Sequence, residues 1–245
     1  MLWWEALLLV VGGVAAGVIN AAAGGGSILT VPLLVLAGVP GNQANASNRV
    51  GILTSNAAAA TAFRRLGVRG LRRSLLVLGP MFVGSLVGSL LITRLTDDQF
   101  ERAFGLIMLP VVFLSIRPPR VRAGRAPWPR AVTVVAFLML GMYAGAFQAG
   151  VGLIMVGALT HAGYDLVSAN NVKVVANLLV TIVALPVFIV DRQVVWVPAL
   201  ILAAGFTAGG YLGAHVAVKG GERWIRIVMV VAALLLAGKL LGLYG

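Results

Sequence analysis

The chain has 245 residues, 60% of them hydrophobic and only 11% charged, with a mean hydropathy of +1.00. Soluble domains carry about a quarter charged residues, so this composition excludes a water-soluble globule and points to a bilayer as second solvent. The net charge of +12 does not indicate a nucleic-acid binder, because the arginines are concentrated between hydrophobic runs rather than along one polar face. The absence of cysteine excludes disulfides, thiolate metal sites and sulfur transfer through a protein thiol.

The first twenty residues, MLWWEALLLVVGGVAAGVIN, have no basic region ahead of the apolar run and no cleavage site leading to a soluble domain, which predicts a retained helix. Hydropathy predicts apolar segments at about 3–22, 26–38, 45–63, 74–93 and 100–116, then at 131–149, 151–162, 167–190, 194–217 and 224–243. In each set of five the second segment is short. A helix of about 12 residues spans about 18 Å, against a hydrocarbon core of about 30 Å. All five tryptophans, Trp3, Trp4, Trp128, Trp196 and Trp224, fall at segment ends, where an indole ring suits the headgroup level.

The two sets resemble each other in sequence. Gly38, Ala44, Asn45, Val50 and Leu53 are matched 125 positions later by Gly163, Ala169, Asn170, Val175 and Leu178. Upstream, a small gap sets the glycine triplet opposite QAGVG, residues 148–152. The arginine-rich stretches RRLGVRGLRR, residues 64–73, and RPPRVRAGRAPWPR, residues 117–130, predict cytoplasmic loops, and Asp97, Asp98 and Glu101 mark the loop between them as external. The placement of the later charges favours short segments that cross, so each set makes an odd number of crossings. The expected fold is all-α and polytopic: two inverted repeats, with about eight full transmembrane helices and two half-helices. The first repeat takes residues 1–117, a basic proline-rich cytoplasmic linker 118–130, and the second repeat 131–245.

The stretch NAAAGGGSILTVP, residues 20–32, interrupts the apolar pattern with three successive glycines. Irregular backbone at membrane depth must be satisfied by protein or by a wet cavity, and paired broken helices in inverted repeats form the usual substrate site of secondary transporters. Gly24, Gly25 and Gly26 permit the turn, Ser27 is positioned to cap the next helix, and the exposed N–H groups at its positive dipole end favour an anion. Gln148, Gly150 and Gly152 form the second turn. Just beyond each short segment comes an amide-rich run with one cation: Asn48 with Arg49, and Asn171 with Lys173, Asn177 following one helix turn later. Two accounts of the cations stand open, charge partners for an anion or side chains that snorkel to the interface. Close helix packing is the competing account of the triplet, and it is the favoured one for Gly84, Gly88, Gly209 and Gly213.

Residues 17–63, GVINAAAGGGSILTVPLLVLAGVPGNQANASNRVGILTSNAAAATAF, resemble the first repeat signature of the sulfite exporter TauE/SafE family. Residues 141–188 resemble the second, with a glycine-rich turn, the run from Gly163 to Lys173, and Asn177. The resemblance implies a bacterial plasma-membrane permease that moves sulfite or a small organosulfonate out of the cytoplasm. The second turn departs from the pattern by lacking a glycine triplet. The reading is therefore a transporter rather than an enzyme, since no H-E-x-x-H, paired intramembrane aspartates or Ser/His arrangement is present. It has no cofactor, metal or catalytic residue; its partners are a small anion and the lipid bilayer, not nucleic acid, and a homo-oligomer is left open. Transport of another small anion and a membrane scaffold are the alternatives.

Overall fold

A computed structural model describes residues 2–67, 74–116 and 127–218. Among these the chain is helical, without a strand: α1 (Trp3–Ala23), α2 (Ser27–Leu36), α3 (Gly41–Arg65), α4 (Leu75–Ile92), α5 (Asp97–Ile116), α6 (Arg130–Ala146), α7 (Val151–His161), α8 (Leu166–Val190) and α9 (Trp196–Val218). Four are long and apolar enough to cross a membrane: α1, α4, α8 and α9. Of the other spans expected from hydropathy, α6 has 17 residues, α5 opens on Asp97 and Asp98, and α3 is rich in buried amides. The segment near 224–243, Trp224 and most of the two arginine loops lie outside the described residues.

The short segments are helices of 10 and 11 residues, as the hydropathy predicts. Pro32 sits inside α2 without ending it, the break falling before Ser27 instead. Both short helices end in the same way. Gly38 and Gly163 take φ of 81° and 94°, and the amides of Val39 and Tyr164 reach back five residues to the carbonyls of Leu34 and Leu159. That is the Schellman closure, which needs a left-handed residue and therefore glycine. The amides of Ala44 and Ala169 then bond the carbonyls of Pro40 and Asp165, each at 2.7 Å, to open α3 and α8. Every member of these pairs stands 125 residues from its counterpart.

Packing runs crosswise between the halves. α1 lies on α9 and α4 lies on α6, with α3 against α8 and α9, and α8 against α4. Glycines explain the closeness. Gly209 and Gly213 press on the backbone of Val14 and Val18, while Gly84 and Gly88 press on that of Leu138 and Met142, leaving no room for a Cβ. Without a hydrophobic drive between helices in lipid, such small-residue seams are what let backbones make extensive contact. The packing reading of these four glycines is the one observed. The two seams correspond residue by residue: 14 and 138 are 124 apart, as are 18 and 142, while 84 and 209 are 125 apart, as are 88 and 213.

Candidate functional site

The two helix breaks meet. α1 ends at Gly24, whose φ of 83° lets its amide bond the carbonyls of both Ile19 and Asn20 at 3.0 Å. Across from it, α6 ends at Phe147, and Gln148 and Gly150 take φ of 61° and 66° before α7 begins. A Cβ placed on Gly24 would stand 2.5 Å from the Gly152 carbonyl carbon, so the backbones of the two breaks are in direct contact. The expected role of Ser27 as a helix cap is corrected here: it is the first residue of α2, Gly26 is the N-cap, and no side chain caps that end. The Ser27 hydroxyl instead donates to the Gln148 carbonyl at 3.0 Å and accepts from the Gly150 amide at 3.2 Å. It joins the breaks because the facing turn places one carbonyl acceptor and one amide donor within its reach. Gly25 and Gly26 are buried in the same turn, their carbonyls accepting the amides of Ile28 and Leu29.

Two buried cations hold the ends of the broken helices. Arg49, 0% exposed on α3, donates from Nη1 to the Ala144 carbonyl at 3.1 Å and from Nη2 to the carbonyls of Gly145 and Ala146 at 2.5 and 2.9 Å. Nη1 also reaches Gln148 Oε1 at 3.3 Å, and the guanidinium lies 4.5 Å from the centre of the Phe188 ring. Lys173, 0% exposed on α8, donates to the carbonyls of Asn20 and Ala21 at 2.9 and 3.1 Å and to Asn170 Oδ1 at 2.5 Å. The last turn of a helix leaves carbonyls without intrahelical partners and carries the negative end of the macrodipole, so a cation there both fills hydrogen bonds and answers the field. Neither side chain snorkels; burial removes that alternative for both.

Polar side chains extend the site along α3 and α8. Asn45 Nδ2 donates to the Ala146 carbonyl at 2.8 Å, beside Arg49. Asn48 accepts from the Thr30 hydroxyl at 2.5 Å, tying α3 to the first turns of α2, and its Nδ2 is buried without a partner. Asn20 Nδ2, Arg49 Nε and Asn177 Oδ1 are likewise buried and unpartnered. Asn171 is 3% exposed. Gly24, Ser27, Gln148, Gly150 and Gly152 thus meet at the breaks, Gly26 packs on α1 beside Asn20, Arg49 and Lys173 flank the breaks, and Asn48 leans on α2, while Asn177 lies a helix turn beyond Lys173. The sequence reading passed over Asn20, Thr30 and Phe188. A lone asparagine four residues before the glycine triplet, inside an apolar run, was a usable signal; Thr30 and Phe188 had none.

The sequence pattern of the family described as "Sulfite exporter TauE/SafE" matches residues 9–240, nearly the whole chain. The chain belongs to the sulfite exporter TauE/SafE family. It is 27% identical over 219 residues to a "Probable membrane transporter protein" of Haemophilus influenzae, covering 87% of this chain and 85% of the relative. A "Probable membrane transporter protein YfcA" of Escherichia coli K12 is 26% identical over 220 residues, covering 87% and 81%. No solved structure matches. With four apolar spans among the described residues, membership in the TauE/SafE family makes this a multi-pass membrane protein of a transporter family.

Proposed function

We propose that this chain is a permease of the bacterial plasma membrane that exports a small sulfur-containing anion, sulfite or an organosulfonate, taken up where the N-termini of α2 and α7 meet. One observation carries the reading: Arg49 is fully buried, and its partners among the described residues are four neutral oxygens and a ring face. An ionised group held in a membrane protein without a counter-charge is expensive and marks a substrate path by default. An entering anion supplies the missing charge. The unpartnered donors Arg49 Nε, Asn20 Nδ2 and Asn48 Nδ2 match an oxyanion, which only accepts hydrogen bonds.

The crosswise seams support two halves exchanged by a two-fold operation, since the first helix of each packs on the fourth helix of the other through equivalent residues. Inverted in the membrane, such halves give alternating access around a fixed midplane site. Purified chain in liposomes loaded with sulfite tests the proposal. Saturable sulfite efflux, competed by methanesulfonate and indifferent to small cations, is expected. Cation flux without anion flux overturns it, and saturable efflux of a different oxyanion with no response to sulfite moves the substrate while keeping the site.

A further inference from the structure

Gln148 occupies a position where the fold calls for glycine. It is the counterpart of Gly24, 124 residues on, and the pairs Gly24 with Gly152 and Ser27 with Gln148 answer one another across the two breaks. Gly24 has φ 83°; Gln148 has φ 61°, a left-handed conformation that a residue with a Cβ adopts at a cost. Only one other non-glycine among the described residues does so, Arg192 in the exposed turn after α8. The buried turn thus retains a side chain against local preference, and that side chain ends on Arg49.

Arg49 makes four hydrogen bonds of unequal kind. Three go to backbone carbonyls of the last turn of α6, which move only if the helix moves. The fourth, to Gln148 Oε1, is the longest at 3.3 Å and the one whose acceptor sits on a rotatable arm. The adjacent Nε is buried and empty. We propose that the Gln148 carboxamide is a tethered stand-in for a substrate oxygen: it fills Arg49 while the carrier is empty and yields to an oxyanion, so that it competes with the substrate instead of binding it. This rests on the anion reading of the site above. A neutral carboxamide suits the task, because a charged acceptor on guanidinium makes the stronger and shorter bond and so displaces it. A carboxylate on the same arm would be a permanent counter-ion.

Competition predicts opposite responses from two substitutions at one position, which a residue that binds substrate or merely packs does not produce. The test is calorimetric titration of sulfite, and separately of methanesulfonate, into the purified full chain. Gln148→Gly, which removes the competitor and relaxes the backbone, is expected to tighten binding about tenfold, the equivalent of one hydrogen bond. Gln148→Glu is expected to weaken it about a hundredfold, a carboxylate holding the guanidinium more firmly than an amide does. Gln148→Asn serves if the glycine variant does not fold; asparagine tolerates the left-handed region, and its shorter amide withdraws from Arg49, so it too should tighten binding. Weaker or unchanged binding in both Gln148→Gly and Gln148→Asn overturns the stand-in role while leaving the anion site intact. Wild-type chain that binds neither anion overturns the site itself, and with it this inference.

Discussion

The seats of Arg49 and Lys173 pose one structural problem and solve it differently. Arg49 holds the carbonyls of Ala144 and Gly145, and Lys173 those of Asn20 and Ala21, which are the corresponding positions 124 residues earlier. What is repeated is the last turn of a broken helix; what varies is the cation that reaches it. In the helices that carry them the two are not aligned, since at the spacing of 125 Lys173 stands opposite Asn48, about 100° around the helix from Arg49. Flexible arms absorb that rotation. The ammonium has three donors, matched by Asn20, Ala21 and Asn170. The guanidinium has five, and after four bonds Nε is still unmet. On the proposed function, the comparison makes Arg49 the residue that would recognise the anion and Lys173 chiefly a support of the break.

Arg49→Gln breaks the comparison at its stronger end. It leaves up to two buried carbonyls, those of Ala144 and Gly145, short of donors at about 1–3 kcal/mol each, since Asn45 still serves Ala146, and it removes the charge on which the proposed anion site depends. Sulfite efflux from proteoliposomes should fall to background, and thermal unfolding in detergent should shift down by several degrees. Efflux at the wild-type level would show that the buried charge plays no part in transport.

Lys173→Gln sharpens the comparison. Two carbonyls lose their charged donor, a cost of about 1–3 kcal/mol after a glutamine amide replaces part of it, while Arg49 keeps every partner. Maximal efflux should drop severalfold with little change in the half-saturating sulfite concentration. A half-saturating concentration that rises tenfold with maximal efflux intact would place Lys173 on the substrate and remove the division of labour between the two cations.

Much of this arrangement was readable from residue types, for reasons that differ by element. Short apolar runs bounded by glycine located α2 and α7 to within two residues at each end, because a Schellman closure and a left-handed break both demand glycine at a fixed place. The spacing of 125 was visible at Gly38 and Gly163 for the same reason. The targets of the cations were not readable, since a helix-end carbonyl is identical in every residue and only the tertiary fold decides which is bare. Ser27 illustrates the limit. Its position before an apolar helix matches a cap by local rules, but the facing turn, more than a hundred residues away, engages its hydroxyl. Gln148 shows the reverse case, a residue that breaks the local rule for a left-handed turn and whose amide meets Arg49, a partner 99 residues away.

The mildest difference between the halves lies where α4 meets α8 and α9 meets α3. Ser85 on α4 donates to the Val180 carbonyl at 2.9 Å; its counterpart on α9 is Gly210, which presses on the backbone of Ser55, the counterpart of Val180. One contact is closed by a hydroxyl and the other by the absence of a side chain. Ser85→Ala removes one hydrogen bond whose acceptor already serves its own helix, so the loss should be about 0.5–1.5 kcal/mol, toward the lower end because interhelical bonds in membranes average about 0.6 kcal/mol. Efflux should stay within about twofold of wild type, with thermal unfolding a degree or two lower. The reciprocal change, Gly210→Ser, is the sharper half of the pair. A Cβ there would stand 2.5 Å from the Ser55 carbonyl oxygen, and both atoms belong to packed helices that cannot yield separately. It should destabilise the chain more than Ser85→Ala does, and a Gly210→Ser chain as stable as wild type would show that the two contacts are not counterparts.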